Sequence, residues 1–267
     1  MKPEVRPKKA LGQHFLTDLG VAARIASTLD DYVSEPVLEI GPGMGVLTQF
    51  LLERHGGRLT VAEIDPESVD YLRRNYPAFT NEGSGDRIVE GDFLQMDLNE
   101  LFPGTGPFCV IGNYPYNISS QIFFKVLDYK DRVVCCSGML QREVAERLAA
   151  QPGTKARGIL SVLLQMWYDV EYLFTVDEHV FCPPPKVKSG VVRLRRNGVT
   201  DPGCDEKLFK TIVKTTFGQR RKTIRNSLRS LLPAGAVLPD SPLAGMRPEQ
   251  LSVAEFIELT NIVSSLR

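Results

Sequence analysis

Between residues 35 and 196 the chain alternates short apolar runs of strand composition with longer stretches whose apolar positions recur at helical spacing. Val37-Leu38-Glu39-Ile40 reads as a first strand, Leu59-Thr60-Val61-Ala62-Glu63-Ile64 as a second and Arg87-Ile88-Val89-Glu90 as a third. Phe108-Cys109-Val110-Ile111 gives a fourth and residues 132–137 a fifth. Helices are expected between them at 46–54, 66–75 and 119–127, then at 141–150 and 159–167. Two late strands, 168–176 and 190–194, read as a hairpin-like closing pair. This alternation implies an α/β fold on a doubly wound, mostly parallel sheet, because parallel neighbours need a long crossover and a helix usually supplies it.

Beyond Arg196 the pattern changes. Gly198-Val199-Thr200-Asp201-Pro202-Gly203 reads as a turn or linker, and only helical spacing follows, at 205–217, 221–232 and 253–266. Ser252 and Glu255 have the spacing of a capping box opening the last helix, and the Pro/Gly/Ala-rich residues 233–242 break the run before it. The expected organisation is a Rossmann-like domain over 1–197, with an N-terminal flap at 1–18, followed by a small all-α domain over 198–267.

Composition alters this picture little. Hydrophobic residues make up 43% and charged residues 24%, an ordinary globular profile. No apolar run approaches the roughly 18 residues of a membrane span. Met1-Lys2-Pro3-Glu4-Val5-Arg6-Pro7-Lys8-Lys9 lacks the apolar stretch of a secretory signal, so a cytoplasmic location is expected. Five cysteines without CxxC spacing argue for reduced thiols, with neither a disulfide framework nor a metal site.

Charge matters by its distribution. The formal net charge is zero, yet Lys186, Lys188, Arg193, Arg195 and Arg196 follow His179 with no acid among them. Lys214, Arg220, Arg221, Lys222, Arg225 and Arg229 form a second acid-free run. Either run alone could be a solvated face. Two runs and a basic N-terminus point to a polyanionic partner.

The candidate chemistry lies at strand ends. Glu39-Ile40-Gly41-Pro42-Gly43-Met44-Gly45-Val46 joins the first strand to the first helix. Its G-x-G-x-G turn places Val46 where a dinucleotide fingerprint needs glycine, which favours a different adenosine cofactor with its amino-acid part over the turn. Glu63 ends the second strand and can accept from ribose hydroxyls; Asp92 ends the third and can accept from an adenine amino group. Either could instead cap the helix that follows it.

The fourth strand runs into Gly112-Asn113-Tyr114-Pro115-Tyr116-Asn117. An adenine amino nitrogen is a poor nucleophile because its lone pair is delocalised into the ring. Two acceptors, the Asn113 side-chain oxygen and the Tyr114 carbonyl, can hold its protons and aim the lone pair at a sulfonium-borne methyl group. Pro115 stiffens the loop, and Tyr116 offers a face for a splayed-out base. Positioning then supplies much of the rate without a strong general base.

With these motifs the chain resembles the ribosomal RNA adenine dimethyltransferases of the KsgA type. The likeness runs through Leu11-Gly12-Gln13-His14-Phe15-Leu16, the glycine turn, Glu63-Ile64-Asp65, Gly91-Asp92 and the Asn113 loop. It continues through Met139-Leu140-Gln141-Arg142-Glu143-Val144, Phe181-Cys182-Pro183-Pro184-Pro185-Lys186-Val187-Lys188-Ser189 and the stretch at 217–228. The resemblance implies a class I methyltransferase that uses S-adenosylmethionine to dimethylate two adjacent adenosines near the 3′ end of 16S rRNA in the 30S subunit; the size of the chain is that of an RNA enzyme able to work as a monomer. It implies that His14 and Leu16, from the flap, line the cofactor pocket with Gly41, Gly43, Gly45, Glu63, Asp92 and Asn113. It implies that Phe181 closes on the target adenine opposite Tyr116, and that Lys186, Lys188, Arg220, Arg221, Lys222 and Arg225 contact RNA. The chain departs from the family at His14, commonly Asn, at Tyr114, commonly Leu, and at Arg157, often an aromatic. The alternatives are a 23S rRNA adenine methyltransferase of the macrolide-resistance type and a non-catalytic assembly factor that keeps the fold. A DNA adenine methyltransferase usually carries a larger recognition domain, and an NAD oxidoreductase fails at Val46.

Overall fold

The computed structural model describes residues 4–80 and 87–267. The first three residues of the expected flap and basic N-terminus lie outside them. Seven strands form one sheet in the order β4-β3-β2-β5-β6-β9-β7. They are β2 (Val37–Ile40), β3 (Leu59–Glu63), β4 (Ile88–Glu90), β5 (Phe108–Asn113), β6 (Val133–Gln141), β7 (Tyr168–Val176) and β9 (Ser189–Arg196). The pairs β2–β3, β3–β4, β2–β5 and β5–β6 are parallel, and β9 runs antiparallel to β6. The expected late pair is therefore adjacent, with β9 inside and β7 at the edge. A separate two-stranded ribbon joins β1 (Phe15–Leu16) to β8 (Phe181–Cys182), antiparallel.

The central strands are mostly apolar because crossover helices cover both faces of a parallel sheet. All four residues of β2 and the first five of β5 are buried. α1 (Leu19–Ala26) leads into β2, and the crossovers are α2 (Thr48–His55), α3 (Pro66–Asn75), α4 (Leu98–Leu101) and α5 (Ser119–Asp128). Local chemistry sets their starts. Asp18 Oδ1 accepts from Val21 N–H at 2.9 Å to cap α1. Asp65 accepts from Glu67 N–H at α3, where Pro66 at the first position has no N–H to leave unpaired. The strand order reverses between β2 and β5, so the connections leaving their carboxyl ends part and open a ligand crevice. Ile40 pairs with Gly112, which sends the turn at Gly41 and the loop at Asn113 off the sheet side by side.

The chain divides into two compact units, one of residues 1–145 with 171–196, the other of 146–170 with 197–267. Segment 146–170, expected in the first domain, groups with the C-terminal helices because the buried face of α7 (Ile159–Gln165) packs on α8 (Glu206–Gly218). α11 (Val253–Ser265) packs on α8 as well, through Phe256 against Phe209 and Phe217. The remaining helices are α6 (Arg142–Leu148), α9 (Ile224–Ser227) and α10 (Pro242–Gly245). The single helix expected over 221–232 is instead the four-residue α9 followed by a 3-10 turn, Arg229–Leu231. Ile224 N–H donates to Met246 O, outside the segment, and Asn226, Ser227 and Ser230 hold a helix poorly. The Ser252–Glu255 capping box forms, with Ser252 N–H donating to Glu255 Oε2 at 2.7 Å.

Arg157, a departure from the expected pattern, is fully buried in the second unit. Its guanidinium donates to Ala150 O and Gln165 Oε1, both at 2.7 Å, and to Leu251 O at 3.2 Å. Burial lowers its pKa to about 10. It pins the 150–158 loop from within. No helix among the described residues is long and apolar enough to cross a membrane, and no cluster of metal-ligating side chains occurs among them.

Candidate active site

The crevice between the ends of β2 and β5 holds about 920 Å³ of space not filled by protein atoms, counting its open mouth. Its wall includes Gly41 and Gly43 from the turn, Glu63 at the end of β3 and Ile64 just after it, Asp92 after β4, Asn113 at the end of β5, and Tyr114, Pro115 and Tyr116 after it. Gln13, His14 and Phe15 of the N-terminal arm complete it. Cofactor and reaction-centre residues predicted from separate stretches of sequence thus meet in one cavity.

Glu63 is held from three sides. Its Oε2 accepts from Gly43 N–H at 3.0 Å, and its Oε1 from Ile64 and Asp65 N–H, both at 2.9 Å. Burial raises its pKa, partly offset by these bonds. The bond to Gly43 fastens the glycine turn to β3, so Glu63 organises the cavity as well as lining it. Asp92 both lines the cavity and caps the 3-10 turn Phe93–Gln95, accepting from Leu94 N–H at 2.9 Å. The capping and lining roles coexist.

The glycines of the turn divide their work. Gly43 has φ +56°, and a Cβ there would meet the Phe15 ring at 2.9 Å, so the turn and the arm close on each other. Gly45 does not line the cavity. A Cβ on it would fall 2.4 Å from the Tyr76 ring, whose hydroxyl donates to Gly45 O at 2.9 Å. Gly45 is there to seat Tyr76 behind the turn. Leu16 also departs from expectation: it is buried in the core and borders a small adjoining recess, while Phe15 takes the cavity wall.

Asn113 Nδ2 donates to His14 O at 3.0 Å. Tyr114 N–H donates to Met139 O at 2.9 Å, and its buried hydroxyl donates to Ser137 O at 2.6 Å, so the loop is anchored to β6 at two points. Burial pushes both tyrosine phenols up, that of Tyr114 strongly. Tyr116 shares a hydrogen bond with Ser189 Oγ, and the His14 ring lies against it with centroids 5.5 Å apart at 31°. Phe181 is not brought to the cavity. It pairs with Leu16 in the ribbon and is buried in the apolar core. The aromatic neighbour of Tyr116 on the cavity wall is His14.

Sequence reasoning missed Lys8 and Gln13, which reach Asp65 across more than 50 residues and leave no local signature. It also missed Glu39, buried behind the glycine turn and accepting from Thr48 Oγ1 at 2.7 Å. A lone carboxylate in the otherwise apolar run Val37-Leu38-Glu39-Ile40 was the available signal. Of the residues expected at RNA, Lys188 pairs with Asp177, Arg225 with Asp240, and Arg220 with Glu249 at 3.6 Å. Glu171 takes both Arg193 and Arg195. The acid-free runs therefore acquire acids from elsewhere in the chain. Lys186, Arg221 and Lys222 are exposed and make none of the ion pairs seen among the described residues.

The sheet order, the glycine turn and the strand-end carboxylates define a Rossmann-like class I methyltransferase. A family model described as ribosomal RNA adenine dimethylase matches residues 5–264, and the chain belongs to that family. A ribosomal RNA small subunit methyltransferase A of Parabacteroides distasonis is 67% identical over 260 residues, 97% of this chain and 94% of its own length. A protein of the same name from Cytophaga hutchinsonii is 52% identical over 262 residues, 98% of each. Among solved structures, a dimethyladenosine transferase from Plasmodium falciparum has a TM-score of 0.75 at 23% identity, covering 92% of this chain and 96% of that one. The 23S rRNA methyltransferase ErmE has a TM-score of 0.68 at 29% identity, covering 92% and 99%.

Proposed function

We propose that this enzyme transfers methyl groups from S-adenosylmethionine to the N6 amino groups of two adjacent adenosines near the 3′ end of 16S rRNA in the 30S subunit, giving N6,N6-dimethyladenosine. It would act as a cytoplasmic monomer. The observation that carries this reading is the meeting of Asn113 and Tyr116 with Glu63 and Asp92 in one cavity. The small-subunit substrate follows the name of the relatives at 52–67% identity, against 29% for the 23S enzyme.

The cavity fits the cofactor chemically. The fixed Glu63 carboxylate keeps one lone pair, on Oε2, for a ribose hydroxyl, Ile64 offers an exposed apolar surface for adenine, and Asp92 has a second oxygen for the adenine amino group. The bound cofactor supplies an electrophilic methyl group on sulfur. Asn113 Oδ1 and the Tyr114 carbonyl accept from the target amino group, Tyr116 stacks on the base, and Pro115 keeps the loop from donating a competing hydrogen bond. Holding the nitrogen in line with the methyl group removes much of the entropic barrier. Methyl transfer to unmethylated 30S subunits, compared with naked 23S RNA, tests the assignment. Asn113→Ala should abolish transfer while rRNA binding persists, and full activity in that variant would refute the role given to Asn113.

A further inference from the structure

The N-terminal arm is tied down at one point and touches the reaction centre at another. Lys8 Nζ pairs with Asp65 Oδ1 and lies 3.2 Å from Glu67 Oε1. Gln13 Nε2 donates to Asp65 Oδ2 at 3.1 Å, and Lys8 N–H donates to Gln13 Oε1 at 2.7 Å. Asp65 is fully buried. Burial pushes its carboxyl up, but the hydrogen bonds from Lys8, Gln13 and Glu67 N–H outweigh this and hold it below the usual range. It therefore anchors the arm as a carboxylate.

One residue beyond Gln13, the arm reaches the methylation loop. His14 O accepts from Asn113 Nδ2, the His14 ring packs on Tyr116, and His14 Nδ1 is 2.8 Å from Pro183 O. At Gly12 the backbone comes so close that a Cβ would lie 2.6 Å from Asn117 Oδ1. The bond to Asn113 has a chemical consequence. A primary amide has a donor end and an acceptor end, and turning it over exchanges them. With Nδ2 committed to His14 O, Oδ1 is the end left to accept from an adenine amino group. Were the arm released, the amide could turn and present its NH2 to the adenine NH2, donor against donor.

We propose that the N-terminal arm is a positioning clamp for methyl transfer: latched on Asp65 by Lys8 and Gln13, it fixes the Asn113 amide through the His14 carbonyl with Oδ1 as the acceptor. This rests on the role given to Asn113 above. The arm thereby ties the cofactor side of the cavity to the acceptor side, and its docking governs the chemical step as well as cofactor retention.

The test is single-turnover methylation of 30S subunits at saturating cofactor, with cofactor affinity measured separately by calorimetry. The variants are Lys8→Ala, the double variant Lys8→Ala/Gln13→Ala, and Lys8→Arg. Lys8 is partly exposed, so its replacement spares the core. The double variant should lose about 10- to 100-fold in rate constant even at saturation, the scale expected when a reacting group loses its orientation. Lys8→Ala should lose less, and Lys8→Arg, which keeps the ion pair, should recover the rate. An unchanged rate constant at saturation, with only cofactor affinity weakened, would overturn the clamp and leave the arm as a cofactor cover. Full activity of Asn113→Ala in the same assay would instead remove the reading on which the clamp rests.

Discussion

Tyr114 and Glu39 show how much of the site depends on side chains that touch no ligand. From sequence, Tyr114 matters for its carbonyl. In the structure its ring fills space left by Gly112 and Gly138, where a Cβ would come within 3.0 and 2.6 Å of it, and its hydroxyl donates to Ser137 O. Tyr114→Phe keeps the packing and removes a buried hydrogen bond, so it should cost about 0.5–1.5 kcal/mol in denaturant unfolding. No measurable loss would mean that the hydroxyl anchors nothing. Glu39 carries a different expectation. Burial raises its pKa from 4.5 to about 8, opposed by the Thr48 hydrogen bond and reinforced by Glu63. Between those values the folded chain holds a proton that the unfolded chain releases, so this group makes stability fall as pH rises from about 4.5 to about 8. Glu39→Gln should flatten that decline. Parallel stability curves for the two proteins across this range would contradict it.

The sheet was readable because its strands are runs of apolar residues bounded by turn signals, and α3 because Asp65-Pro66 announces its start. The reading failed where order comes from distant partners. The ribbon of β1 and β8 is only two residues on each side, and its strands lie some 165 positions apart, so neither has a period to detect. α1 was also unanticipated, although Asp18 caps it. Gly45 looked like a ligand-facing glycine because the motif does not reveal which side of the turn a neighbour occupies, and the neighbour is Tyr76. Gly45→Ala would force both a φ of +77° on alanine and an overlap with that ring. A loss of about 1–3 kcal/mol is expected, the usual cost of overpacking, together with weaker cofactor binding because Tyr76 braces the turn. Thermal unfolding and calorimetric titration of this variant check both, and a neutral result would mean that Tyr76 can move aside freely. Phe181, expected on the adenine, sits in the core instead, because pairing with Leu16 fixes which way its strand faces.

For the whole molecule, zero net charge hides basic surface, but less of it than the acid-free runs suggested. Folding brings Asp177, Glu171, Asp240 and Glu249 to the arginines and lysines of both runs. Phosphate binding should therefore fall mainly to Lys186, Arg221 and Lys222. Replacing Arg221 and Lys222 with alanine should weaken rRNA binding and lower the slope of log K against log salt by about 1–2, each lost phosphate contact removing about 0.7–0.9. Alanine at the ion-paired Arg220 and Arg225 should change the slope less, and the reverse order would show that those ion pairs open on RNA. In the proposed reaction Asn113, Tyr116, Glu63 and Asp92 together form a dimethylation site for small-subunit rRNA adenosines. Mass spectrometry of unmethylated 30S subunits incubated with the protein and S-adenosylmethionine tests it most directly. N6,N6-dimethyladenosine is expected at two adjacent positions near the 3′ end of 16S rRNA. Methylation confined to 23S RNA, or none at all, would contradict it.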